Sequence, residues 1–116
     1  MKLYKFSTIR KRKYGPFKIV KYEIEADEKE KTYVYGHRRI KKDAIGKVER
    51  NYLDLYVFLL EDDSVKVAKL FMDIRKSDLN DPKVKNNPVV LKKMLADIES
   101  LKEYIDGKEP EERFFV

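Results

Sequence analysis

Apolar residues recur at every second position before about residue 62 and at every third or fourth position after it, so the chain reads as strands followed by helices. Tyr4, Phe6 and Thr8 alternate with Lys5 and Ser7, and Val20, Tyr22 and Ile24 alternate with Lys21, Glu23 and Glu25, the pattern of half-buried strands. Arg10 to Pro16 reads as the loop between them, with Gly15-Pro16 as the breaker. Thr32 to Tyr35 is a third strand by its β-branched and aromatic content. Tyr52 to Glu61 is a fourth, apolar at both parities and therefore expected to be central and covered on both faces. Asp27 to Lys31 reads as a charged turn. Gly36 to Arg50 stays open: Arg38 to Lys42 can continue or pair back as a strand, and Asp43-Ala44-Ile45-Gly46 can start a short turn.

Beyond the switch, Asp63 can cap a helix whose stripe is Val67, Leu70, Phe71 and Ile74, with Lys66, Lys69, Asp73, Arg75 and Lys76 mostly outside it. Asn80 to Asn87 is a polar connector. A second helix is punctuated at both ends, by Asn87 as N-cap with Pro88 at the first helical position, and by Gly107 just past the last turn. Its expected stripe is Leu91, Met94, Leu95, Ile98, Leu101 and Ile105. The fold class that follows is α+β: an antiparallel sheet of about four strands (residues 1–61), then two helices (about 63–76 and 88–106) packed on the sheet.

With 116 residues the chain is expected to be a single domain, 1–116, with a C-terminal tail at 108–116; a chain of this size buries roughly two-thirds of its unfolded surface. It has no cysteine, which excludes disulfides, thiolate metal sites and a thiol nucleophile, and fits a reducing bacterial cytoplasm. Met1 to Phe6 lacks the apolar run of a signal peptide, and the longest apolar run, Leu55 to Leu60, is about a third of the roughly 20 residues of a membrane span. No membrane association is expected.

Charge is distributed unevenly. Residues 1–50 hold 16 Lys and Arg against 7 Asp and Glu, whereas residues 51–116 hold 11 against 14. Clustered like charge repels itself unless an anionic partner uses it. In a simple meander the connections after strands one and three emerge at the same end of the sheet. Arg10, Lys11, Arg12 and Lys13 would then meet Arg38, Arg39, Lys41 and Lys42, with Tyr14 and His37 beside them. Eight cations at one end would bind phosphates in a salt-sensitive way, and Tyr14 and His37 could stack on exposed bases. The same residues can equally serve solubility, as loop cations usually do. The convergence also fails if Gly36-His37 is the turn of its own tight hairpin, since an inserted strand moves the later loop to the other end.

Catalysis finds no foothold. His37 is the only histidine and has no nucleophile in a recognisable motif and no second histidine for a metal site. An acid two positions before a lysine, a spacing met in metal-dependent nucleases, occurs at Asp27/Lys29, Asp81/Lys83 and Asp106/Lys108, about as often as chance supplies in a chain this charged. Asp62-Asp63 lacks the ligand count of a calcium or magnesium site. Four glycines form no phosphate loop. No cofactor, metal or catalytic residue is expected. Two other features suit recognition or packing: the apolar end Phe114-Phe115-Val116, expected to dock on its own domain, and eight tyrosines, of which Tyr33, Tyr35, Tyr52 and Tyr56 fall on strands and are assigned to the core.

Lys31 to Tyr35, Ile40 to Lys47, and Tyr56 to Asp63 running into Ala68-Lys69-Leu70-Phe71 together resemble small uncharacterised proteins carried by phages and mobile elements of Gram-positive bacteria, over about residues 31–105. The resemblance carries no functional residue across. It implies a class of role, because small proteins of such elements often act by binding host machinery, including defence nucleases. Two non-enzymatic functions follow: engagement of nucleic acid or a nucleoprotein through the basic end, or inhibition of a bacterial host or defence enzyme by surface complementarity, in an anti-CRISPR-like manner. Oligomeric state is not legible.

Overall fold

Strand alternation at the front of the chain produces long β1 (Lys2–Arg10) and β2 (Phe17–Glu25), as its period requires. The computed structural model describes residues 1–10, 17–51 and 54–107. The remaining elements are β3 (Asp27–Glu28), β4 (Thr32–Tyr35), β5 (Arg38–Lys41), a single 3-10 turn at Lys42–Ala44, β6 (Glu49–Asn51), β7 (Asp54–Leu59), α1 (Ser64–Asp78), α2 (Pro82–Lys85) and α3 (Pro88–Ile105). The fold is α+β, with a four-stranded antiparallel sheet in the order β2-β1-β7-β6, a second small sheet in the order β3-β4-β5, and helices after them.

The sheet is not a simple meander. β7 lies between β1 and β6, in register Tyr4 with Leu59, Lys5 with Phe58, Phe6 with Val57 and Ser7 with Tyr56. The fourth expected strand is thus internal, as its apolar content implies, but it is not sealed on both faces: Leu55, Val57 and Leu59 are buried while Tyr56 and Phe58 are half-buried. Its first two expected residues, Tyr52 and Leu53, lie outside the described residues, as does the expected tail 108–116 with its apolar end.

The open stretch resolves into a hairpin. Thr32 to Tyr35 pairs with Arg38 to Lys41, joined by Gly36-His37, and Gly36 adopts φ +56°, the left-handed conformation that tight hairpin turns need at their first position. In this hairpin Arg38, Arg39 and Lys41 lie on a strand, β5, rather than in a loop. Asp27-Glu28, expected in a turn, instead pairs with Val34 and Tyr33 as β3, and the turn contracts to residues 29–31, closed by the Lys29 amide donating to the Thr32 carbonyl at 2.8 Å.

Described residues fall into two compact units, residues 1–8 with 19–51 and 54–63, and residues 9–10 and 17–18 with 64–107. In the sheet unit, Leu3, Ile24, Ala26, Tyr33 and Ile40 form a buried cluster with Tyr22, Tyr35, Ala44, Ile45 and Phe58 packed around it. The buried Thr8 hydroxyl accepts from the Leu55 amide at 3.0 Å, which satisfies it between β1 and β7. Lys21 is likewise buried and donates to Asp62 at 2.7 Å.

In the helical unit, α1 and α3 pack on each other, and Val67, Ala68 and Phe71 of one and Met94, Ile98 and Leu101 of the other are buried. The punctuation of α3 is as expected: the Asn87 side chain accepts from the Val90 amide at 3.3 Å, Pro88 opens the helix, and Gly107 takes φ +98° beyond its end. The connector before it contains one helical turn, α2, capped by Asp81, which accepts from the Lys83 amide at 2.9 Å.

Two expectations about the stripes are corrected. Arg75 is buried within α1, and on α3 Lys93 and Asp97 are buried while Leu95 is 51% exposed. The inward face of α3 is rotated from the all-apolar line toward these charges, because oppositely charged groups in the same unit meet them there.

Candidate nucleic-acid interface

Among the residues expected to contact nucleic acid, Arg10 has a different task. Its guanidinium grips Asp97 through both nitrogens, Nη1 to Oδ1 at 3.1 Å and Nη2 to Oδ2 at 2.6 Å, and lies 5.1 Å from the centre of the Phe17 ring. Its side chain is 5% exposed and its partner's 1%. A forked, charge-assisted pair of this kind removes Arg10 from the surface. Lys11, Arg12, Lys13 and Tyr14 lie outside the described residues.

The other expected residues stand on the small sheet. His37, Arg38, Arg39 and Lys41 are exposed, and Ile40 alone of β5 is buried. Cross-strand register divides them by face. Arg38 opposite Tyr35 shares the side of the Tyr33 and Ile40 pair, whereas Arg39 opposite Val34 and Lys41 opposite Thr32 share the other. Arg38, Arg39 and Lys41 have no carboxylate partner among the described residues. Lys42 does: its ammonium donates to Glu28 at 2.8 Å and lies 5.4 Å from the centre of the Tyr33 ring. That hydrogen bond holds the Glu28 carboxyl below its ordinary range and raises the Lys42 ammonium above its own. A shallow depression lined by Glu30, Lys31, Thr32, Lys41, Lys42 and Asp43 carries both signs of charge and is a poor phosphate site.

A second arrangement, which the sequence pattern does not reveal, lies on the four-stranded sheet. Lys5 of β1 extends its ammonium over three rings, 5.1 Å from the centre of Tyr56, 5.8 Å from Phe58 and 6.0 Å from Tyr22. Tyr56 and Phe58 stand edge to face, 6.1 Å apart at 87°. Partial burial lowers the Lys5 pKa, and the positive charge of Arg38 lowers it further. Alternation with Tyr4 and Phe6 assigns Lys5 to a solvent face. The contrary signal is Leu3, which has the parity of Lys5 and is fully buried. Both faces of β1 are therefore at least partly covered.

Charge also sorts differently in space than along the chain. Described residues of the sheet unit hold 11 Lys and Arg against 11 Asp and Glu, and those of the helical unit hold 11 against 7. The front half's excess is local to β5 and to segments outside the sheet unit, so a polyanion surface here rests on particular unpaired cations rather than on net charge. Compared with protein-family models, with curated proteins and with solved structures, the chain matches none.

Proposed function

We propose that this chain acts by binding rather than by catalysis, and that it engages nucleic acid through the phosphates, with β5 as the contacting strand. The observation that carries this reading is the pair Arg39 and Lys41 on one face of β5, with Arg38 on the other: all three exposed, without carboxylate partners among the described residues, and beside the exposed His37. Arginine and lysine in that state have no ion pair to break before meeting a phosphate, and they release its counterions on contact. The strand is also at the edge of its sheet, where charge discourages pairing with another strand and leaves the side chains free to face a ligand.

Fluorescence anisotropy with labelled oligonucleotides tests the reading. Affinity falls steeply as salt rises, and the Arg39→Ala, Lys41→Ala double variant weakens binding and lowers the salt slope by about one unit for each phosphate left without its cation. Binding that ignores salt, or a double variant indistinguishable from the parent, overturns it. A stoichiometric complex with a host protein that survives nuclease digestion would favour enzyme inhibition instead, the other role that the resemblance to phage and mobile-element proteins implies.

A further inference from the structure

We infer that the rings around Lys5 form a nucleotide-binding platform that makes the protein selective for single strands, with a base stacked on Tyr56 or Tyr22 and its phosphate held between Lys5 and Arg38. The inference rests on the nucleic-acid reading above and deepens it.

Its first support is placement. Lys5, Tyr22 and Tyr56 come from β1, β2 and β7, three strands that are neighbours in the order β2-β1-β7, so the rings flank the lysine from both sides on one sheet face. All of these side chains are half-buried, which fixes the rings by packing while leaving part of each to solvent. Aromatic rings presented from adjacent strands, with cations beside them, suit stacking on bases of any sequence.

The second support is charge. Where the two buried lysines among the described residues lose water, a carboxylate is supplied: Asp62 to Lys21 at 2.7 Å and Asp97 to Lys93 at 3.8 Å. Lys5 has no such partner among the described residues, and the charge acting on it is a second cation, Arg38. A lysine without an acid, on which a second cation acts, favours an incoming anion. Since a phosphate with an attached base supplies both the anion and the flat apolar partner, a nucleotide satisfies the whole arrangement. A duplex does not, because its bases are already stacked and only its phosphates could reach.

The test compares a labelled short oligothymidylate with a duplex of equal length on the full chain. The parent protein binds the single strand about tenfold or more tightly than the duplex, and Tyr56→Leu costs about tenfold on the single strand with the salt slope unchanged. Tyr56→Phe, which keeps the ring, retains binding. With no tryptophan and eight tyrosines in the chain, tyrosine emission is quenched as the oligonucleotide stacks, a readout that needs no variant. Equal affinity for both probes, or absence of quenching, overturns the inference. So does a Tyr56→Leu variant that melts like the parent by circular dichroism and binds the single strand as tightly. If Arg39→Ala, Lys41→Ala weakens binding in those same experiments, the nucleic-acid reading stands and the platform alone falls; if neither probe binds, both fall.

Discussion

Around Asp97, the cations Arg10, Arg75 and Lys93 converge on one carboxylate with Asp78 alongside, and every one of these side chains is less than a tenth exposed. Around Lys5, several rings gather with no carboxylate partner among the described residues, the charge acting on it is that of Arg38, and water still reaches the group. The two regions use the same residue types to opposite ends. In the helical unit the acids sit where the cations are driest: Arg75 meets Asp78 at 3.0 Å and Asp97 at 3.5 Å, joining α1 to α3, and Arg10 brings the end of β1 into the same cluster. In the sheet unit Lys21 and Lys42 also find acids, but Lys5 has none among the described residues and is left to be neutralised by something else. An ion network completed internally is a device for specifying structure, whereas an incomplete one at a partly wet surface has spare capacity for a ligand.

The largest expected effect breaks the first half of that contrast. Asp97→Ala leaves three buried cations facing one another with only Asp78 to offset them, and should cost about 3–5 kcal/mol of stability in chemical denaturation. A loss well below that would mean that the cluster relaxes into water and is not the internal network described.

Lys93 sharpens the contrast from the opposite side. Burial holds its ammonium below the ordinary lysine range, Arg10 and Arg75 push in the same direction, and Asp97 only partly opposes them. Protonated Lys93 is therefore a net burden in the folded state, and Lys93→Met should be neutral or stabilising by about 1 kcal/mol near neutral pH. The pH dependence has a definite sign. Between the lowered folded-state pKa and the ordinary value the unfolded chain still holds the proton that the native protein has released, so the parent gains stability there as pH rises. The advantage of Lys93→Met should shrink accordingly in denaturation series taken toward alkaline pH; an advantage that grows would show Asp97 to be the dominant influence on this lysine.

Smallest on stability is Lys5→Met. With no carboxylate partner among the described residues to strand, it should shift the denaturation midpoint far less than Asp97→Ala while weakening oligonucleotide binding in the same anisotropy assay. A destabilisation approaching that of Asp97→Ala would assign Lys5 to the core and erase the difference between the two regions.

Some of this is legible along the chain because it depends on neighbours. Asn87, Pro88 and Gly107 delimit α3 through contacts within one helical turn, and Gly36-His37 carries hairpin chemistry in two residues. The helix faces are legible only in part. The apolar stripe of α3 identifies Met94, Ile98 and Leu101 correctly, but it selects Leu95 over Asp97, since hydropathy cannot register that an arginine 87 positions earlier will meet that aspartate. The expected basic site divides in the same way. Arg38, Arg39 and Lys41 are exposed as their charge suggests, whereas Arg10, of identical type and in a similarly basic stretch, is withdrawn by a partner that no local pattern announces.

Period, capping residues and turn chemistry thus determined the strands β1, β2, β4 and β7, the helices α1 and α3, and where α3 begins and ends, because those preferences act over a few residues of backbone, whereas β3, β5, β6 and α2 were not fixed by them. The tertiary structure alone decided that β7 pairs beside β1, that the rings of Tyr22 and Tyr56 flank Lys5, and which cations find acids. Coulombic and stacking interactions depend on distance through space, and residues far apart in the chain acquire those distances only when the backbone has folded.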